Sequence, residues 1–262
     1  DDYTQLQERL RLDEDKSPID FSKRILTRIF SNGRFDHGGR FYRAWWHNVP
    51  SEYRKYITID SKRTCEYDYS QLNPHMVYFL RGAKMGEEDA YDRVFDGEHR
   101  DIVKEAFNAM IQASTNLTHK PKKLDLNQVD FDWATLKQAI LDAHKPIADV
   151  FFQGHGNHLQ FIDSCIAETV MLNFIRAEDA PVLPVHDSFI MHYAYGELGE
   201  LEEEMRRSFH GHFKKDINVK SEIGFMLPSS FDGKEWNDLN LEEQIQGPPE
   251  YSQWEERNNL ND

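Results

Sequence analysis

Hydrophobic residues recur at helical intervals over most of this chain. The clearest run is Trp133, Leu136, Ile140, His144, Ile147 and Phe151, whose spacing puts all six on one stripe of a helix. That helix is expected to start near Asp130, a suitable N-cap, and to end at Gly154-His155-Gly156-Asn157. Between Asp68 and Gly82, the residues Leu72, His75 or Met76, Phe79 and Leu80 repeat the same period. Pro74 fits only the first turn of that helix, and Gly82 stops it. Further helices are expected over Glu98–Ala113, Leu159–Arg176 and Leu198–Phe213, the last with Leu201, Met205 and Phe209 inward. Nearer the N-terminus, Gln5–Arg11 and Phe21–Phe30 also read as helices, with Ile25, Ile29 and Phe30 on one face before Ser31-Asn32-Gly33 breaks the pattern.

Other stretches read as strands. Val182-Leu183-Pro184-Val185 and Ser188-Phe189-Ile190-Met191 flank a His186-Asp187 pair, which predicts a β-hairpin with a carboxylate at its tip. Tyr56–Ile59 and Thr64–Tyr67 flank Asp60–Arg63 in a second expected hairpin, and Ile217–Met226 is a further strand. Ser114–Gln128, with Lys120, Lys122 and Lys123, is polar and expected to be a loop. From Asp232 onward the chain is acidic, polar and punctuated by Pro and Gly, which predicts a tail. No internal repeat is present.

Composition narrows the classes. The 262 residues suffice for one sizeable domain or two small ones, and 17 Phe, 11 Tyr and 5 Trp can supply a core. No run reaches the ~18 apolar residues of a membrane-spanning helix. Asp1–Gln5 has neither the basic nor the apolar part of a signal peptide. Cys65 and Cys165 lie in apolar runs and read as buried free thiols. The expectation is a cytoplasmic protein with no membrane partner. A net charge of −15 argues against coating nucleic acid with the whole surface. The charge is uneven, however. Phe21–Arg63 holds ten Lys or Arg against three acids, and Asp232–Asp262 holds nine acids against two bases. A local basic face suits a polyanion, although a solvated surface can vary as much.

Two carboxylates draw attention. Asp187 tips its hairpin, and Asp68 ends a strand-like run just before a helix. Distant in sequence but able to meet on one sheet, they can hold two Mg²⁺ ions for phosphoryl transfer. On the Glu98 helix, Arg100, Lys104 and Asn108 share a face, with Ile102, Ala106, Met110 and Ala113 on the other side. Such a cationic row can grip a triphosphate; alone, it reads more readily as a solvated helix face.

In chain order these motifs resemble the palm and fingers of family A DNA polymerases and of the related single-subunit RNA polymerases of bacteriophages and mitochondria. Asp68-Tyr69-Ser70-Gln71-Leu72 is similar to the start of the first palm motif. Arg100-x-x-x-Lys104 is similar to the start of the fingers-helix motif, and His186-Asp187-Ser188 to the second palm motif in its RNA polymerase form. Asp36-His37-Gly38-Gly39-Arg40 is similar to the Asp-x-x-Gly-Arg loop of the RNA polymerase branch. The resemblance covers roughly Asp36–Phe213. It implies an α+β fold: a palm-like antiparallel sheet, flanking helices and a small helical fingers region. The implied division is a template-gripping segment over 1–55, a catalytic domain over 56–230 with a fingers insertion at about 83–157, and an acidic tail over 231–262.

The resemblance also implies roles. Asp68 and Asp187, with the main-chain carbonyl of Tyr69, would bind Mg²⁺, with Mn²⁺ as the other ion considered. Lys104 would contact the triphosphate and protonate the leaving pyrophosphate, and Arg100 would take the γ-phosphate end. Arg40 would hold the template or primer backbone, and His186 would lie near the primer terminus. Partners would be nucleic acid, nucleoside triphosphates and a protein supplying a thumb or processivity. Three positions depart from the family pattern: Asn108 and Gln112 in the fingers motif, where the incoming base and sugar are met, and Asn73 in the first palm motif. Deoxy- or ribonucleotide choice is therefore not legible. The expected activity is a Mg²⁺-dependent nucleotidyltransferase, primase-like or terminal-transferase-like in scope. A catalytically decayed palm acting as a nucleic-acid-binding module, or a two-metal nuclease, are the alternatives.

Overall fold

The computed structural model describes residues 19–55, 57–59, 64–193 and 199–224, together with two two-residue strands beyond them. The expected helix over Gln5–Arg11, the turn Asp60–Arg63 and most of the acidic tail lie outside these residues.

The central sheet has four antiparallel strands: β3 (Thr64–Tyr69), β4 (Leu183–Val185), β5 (Ser188–His192) and β6 (Val219–Gly224), in the spatial order β4-β5-β3-β6. A separate hairpin joins β1 (Thr27–Phe30) to β2 (Gly38–Tyr42). The helices are the single turn α1 (Ser51–Arg54), α2 (Leu72–Leu80), α3 (Arg100–Gln112), α4 (Trp133–Ala143), α5 (Gly156–Glu178) and α6 (Glu200–Phe213). Two short strands, β7 (Ser230–Phe231) and β8 (Lys234–Glu235), pair with each other, so the start of the expected tail is strand. Among the described residues, no helix is long and apolar enough to cross a membrane.

Side-chain alternation on β3 sets the layers. Cys65, Tyr67 and Tyr69 are buried and face the helical core, where Met191 and Phe189 stand opposite Cys65 and Tyr67. Glu66 and Asp68 point to the other face. At the Glu66 end that face is covered by a second cluster of Ala44, Trp46, Val49, Ile57 and Ile190. At the Asp68 end it is open, and Asp68 is exposed.

The helical core follows the sequence period closely. Trp133, Leu136, Ile140, His144, Ile147 and Phe151 are all buried. Each large apolar side chain among them contributes about 1.5–3 kcal/mol. The helix carrying them differs in two ways from expectation. Its N-cap is Asp132, not Asp130, because the Asp132 carboxylate accepts from the Thr135 amide at 2.8 Å. It also ends at Ala143 and tightens into a 3₁₀ turn over Lys145–Val150, where Pro146 cannot continue the α-helical ladder. Gly156 then opens α5 instead of closing α4.

Three further expectations are corrected. Phe21–Phe30 is not helical: Thr27-Arg28-Ile29-Phe30 pairs with β2, as its β-branched and aromatic content favours, and Ile25 is 80% exposed. Leu80 ends α2 facing solvent, 53% exposed, while Val77 and Tyr78 take the inward positions. On α3 the buried stripe is Val103, Ala106, Phe107, Met110 and Ile111, with Ile102 and Ala113 only half-buried at its margins. Cys65 is a buried free thiol and Cys165 a half-buried one.

His144 makes the core sensitive to acid. It is fully buried, its Nδ1 lies 3.0 Å from the Tyr78 hydroxyl, and burial together with the Arg93 cation lowers its pKa from 6.5 to about 4. The folded chain therefore holds His144 neutral, whereas the unfolded chain protonates it near 6.5. Its contribution is complete above pH 6.5 and is lost as pH falls toward 4, about 2 kcal/mol of it by pH 5. Denaturant unfolding at pH 7 and pH 5 should show His144→Gln losing about 2 kcal/mol less than the parent over that interval. Equal losses in the two proteins would refute this assignment.

Candidate active site

The strand register answers where the two aspartates lie. Asp68, near the end of β3, is paired with Ser188, the first residue of β5. Asp187 immediately precedes Ser188, in the two-residue turn His186-Asp187 that joins β4 to β5. Residues more than a hundred positions apart therefore meet at neighbouring strand ends, at the open end of the sheet. His186 has φ +60°, a left-handed conformation that the first central position of such a tight turn demands and that Gly usually fills. Across the other edge of β3, Lys220 of β6 stands opposite Asp68 and is exposed. The sequence reading missed Lys220 because only the register brings it there.

Tyr69 follows Asp68 with its ring on the opposite face. The ring is buried, the hydroxyl donates to the Met205 carbonyl at 2.6 Å, and burial holds the phenol far from ionisation. The side chain is anchored in the core, so the main chain is the part of Tyr69 that can serve the site.

Arg40 and Asp163 form the charged floor. Arg40 Nε donates to Asp163 Oδ2 at 2.5 Å, and Asp163 is 1% exposed. Burial raises the Asp163 carboxyl above its ordinary value, Arg40 opposes that, and the Asp187 carboxylate adds to it. Burial also works against the charge on Arg40, but the Asp163 and Asp187 carboxylates outweigh it and its pKa is raised. Arg40 thus lies within the field of Asp187 while bonded to α5. Asp163 was not anticipated. Its signal was an acid on the inward stripe Leu159, Asp163, Ile166 and Val170 of a helix, where an acid persists only when paired.

Gly39 makes this contact available. It has φ +81°, and a Cβ there would lie 2.9 Å from Phe30 Cε1 and 3.1 Å from Ser164 Oγ. Its carbonyl accepts from Arg28 Nε at 2.9 Å, and Arg28 also bonds Ser164 and Glu168 on α5. The glycine lets β2 seat on α5 and delivers Arg40 to Asp163. Gly39→Ala should cost about 2 kcal/mol by urea unfolding, from strain plus displaced neighbours; an unchanged midpoint would contradict that packing.

Glu66 shares the face of Asp68, but Arg54 and Ser188 both bond its Oε1, the latter at 2.6 Å. It ties the second cluster to the sheet. The fingers-like row spreads out. Lys104 is exposed on α3. Arg100 is half-buried and held by Asp89 at 2.7 Å and Asp92 at 3.4 Å, with its guanidinium over the Tyr91 ring. Asn73 on α2 donates to Asn108 on α3 at 2.9 Å, and Asn108 also bonds the buried Tyr91 hydroxyl. Burial and Asp89 raise the pKa of Tyr91, and the Asp187 carboxylate adds to this, so the amide pair borders the aspartate site. Gln112 is exposed on its own helix and lies over Gly156, where a Cβ would collide with its amide.

No protein-family model matches the chain, and no curated protein does. Among solved structures, it is similar to the POL domain of Pol1 from M. smegmatis, a structure in complex with DNA primer-template and dNTP. The TM-score is 0.50 at 15% identity, over 78% of this chain and 48% of that one. The chain spans about half the length of that domain. At this identity the likeness is one of fold: mixed α+β, antiparallel sheets with flanking helices, in a polymerase-like arrangement.

Proposed function

We propose that this chain is a nucleotidyltransferase that extends a nucleic-acid 3′ end with nucleoside triphosphates, by two-metal-ion catalysis at Asp68 and Asp187. The observation that carries the reading is the pairing of Asp68 with Ser188, which sets the two carboxylates at adjacent strand ends of a polymerase-like fold. The donor set suits Mg²⁺: two carboxylates and the Tyr69 carbonyl are hard oxygen ligands. Among the described residues no third acid, His or Cys closes a cage around them, so substrate phosphates would complete the coordination. When bound, the ions would supply positive charge for the attacking and leaving oxygens. Mn²⁺ suits the same donors.

The protein's own groups do the rest. Lys104, exposed on α3, would meet the triphosphate and place a proton on the departing pyrophosphate. Arg100 would exchange its Asp89 and Asp92 partners for the γ-phosphate. Asn73 and Asn108 would face the incoming sugar. The 3′ oxygen bonds to the α-phosphorus, the bond to the bridging oxygen breaks, and the hydroxyl proton passes to water. Arg40 supports Asp187 electrostatically from its pair with Asp163, and His186 would lie beside the extended end.

Primer extension tests the reading, comparing dNTPs with NTPs, with and without a template strand, in Mg²⁺ and in Mn²⁺. Incorporation in at least one arm is expected. Degradation of the labelled strand without added triphosphates would make the site a nuclease instead. Metal-insensitive binding without incorporation would make it a decayed palm.

A further inference from the structure

Arg40, Arg54 and Arg100 are each committed to a carboxylate: Arg40 to Asp163, Arg54 to Glu66, and Arg100 to Asp89 and Asp92. Lys220 is not. It stands on β6 directly opposite Asp68 and is exposed. It makes no hydrogen bond or ion pair with another described residue. Directly opposed residues of an antiparallel ladder project to the same face, with Cβ atoms about 4.5–5.5 Å apart. The alternation that sends Tyr67 and Tyr69 into the core therefore sends Asp68 and Lys220 out together. Across the other edge of β3, Ser188 is buried and its hydroxyl is spent, donating to Glu66 Oε1 at 2.6 Å and to the Val185 carbonyl at 3.1 Å. Of the two cross-strand neighbours of Asp68, Lys220 is the one that brings charge.

On an ordinary solvated strand such a pair has little consequence. Its place changes that. Asp68 and Asp187 offer a divalent cation two carboxylates, and among the described residues no third acid joins them. At the cross-strand position where a third acid could stand, the chain has an ammonium. A unit positive charge opposite Asp68 lies well inside the ~10 Å Debye length of 0.1 M salt, and it repels a divalent cation twice as strongly as a monovalent one. A triphosphate brings enough negative charge to outweigh one ammonium.

We propose that Lys220 is the counter-cation of Asp68: it weakens divalent-cation binding at the substrate-free site, so that firm binding waits for the phosphates of a nucleoside triphosphate. Lys220 acts through Asp68 and touches no reacting atom. The proposal rests on the reading of Asp68 and Asp187 as a metal-binding nucleotidyltransferase site.

Titration of the full, nucleotide-free chain with Mn²⁺, the free ion read by electron paramagnetic resonance, reports binding without catalysis. At about 0.05 M NaCl, Lys220→Met should bind Mn²⁺ about three- to tenfold tighter than the parent, Lys220→Glu tighter still, and Lys220→Arg like the parent. At about 0.5 M NaCl the gap between the parent and Lys220→Met should close, because screening removes a charge effect and leaves a packing effect in place. With saturating nucleoside triphosphate, the Mg²⁺ giving half-maximal incorporation should nearly coincide for those two proteins. Four results overturn the proposal: Lys220→Met binding no tighter than the parent, a gap that survives salt, Lys220→Arg moving with Lys220→Met, or a gap as wide with triphosphate as without. Asp68→Asn and Asp187→Asn separate the two claims. If both lose Mn²⁺ binding while the Lys220 variants match the parent, the metal site stands and the role of Lys220 falls. If both bind Mn²⁺ as the parent does, the metal site falls whatever the Lys220 variants do.

Discussion

Asp187→Asn should lower nucleotide incorporation by on the order of 10³-fold or more while leaving the protein folded. The substitution keeps the shape of the side chain and the turn but removes the charge on which the Mg²⁺ reading depends. Stability provides an internal control. Asp187 repels the buried Asp163 carboxylate and attracts Arg40, so removing its charge relieves one interaction and forfeits the other. The two oppose, and the variant should unfold in urea within about 1 kcal/mol of the parent, so that a lost activity is not assigned to a lost fold. Asp68→Asn should behave alike, since Asp68 is exposed and its burial contributes little. Parent-like incorporation by both variants would end the proposed mechanism.

Arg40→Ala should destabilise the fold by about 3–5 kcal/mol, the cost of stranding a buried ionised partner. Asp163 is 1% exposed and its 2.5 Å bond from Arg40 is the counter-charge that justifies burial. Without Arg40, the carboxyl would protonate rather than remain charged, which caps the penalty and raises its pKa further. The paired substitution Arg40→Met/Asp163→Leu should recover most of the loss, because two apolar groups of similar volume need no compensation. Urea midpoints for the two single variants and the double variant close the cycle. A single variant within 1 kcal/mol of the parent would show that the pair is solvated and that β2 does not depend on it. The effect on incorporation is separate. Arg40 also offsets Asp187, so its removal should reduce activity even at temperatures where the variant is fully folded.

These two predictions depend on contacts with different visibility in the sequence. Asp187 was conspicuous because a His-Asp pair between two short apolar runs is a local pattern, and the hairpin it implies needs only neighbouring residues. Asp163 was not, although it breaks an inward stripe, because its partner lies 123 positions away. The long stripe from Trp133 to Phe151 was legible for the same reason as the hairpin: its period is a property of consecutive turns. The segment Phe21–Phe30 shows the reverse. Ile25, Ile29 and Phe30 fit a helix as well as a strand, and only the partner strand β2, positioned by Gly38 and Gly39, decides between them.

Local chemistry along the chain determined which side chains are apolar, where tight turns and helix starts can form, and which carboxylates and cations are available for catalysis. Those are one-dimensional properties, settled by spacing of a few residues. Tertiary structure alone decided that Asp68 faces Ser188 and Lys220, that Arg40 meets Asp163, that Arg100 is held by Asp89 and Asp92, and that Asn73 meets Asn108. Each of these is a register or packing outcome. A shift of one residue in β3 would turn Asp68 into the core; the alternation of Cys65, Tyr67 and Tyr69 with Glu66 and Asp68 fixes which face is buried, but which residues stand opposite Asp68 is decided by the strands on either side.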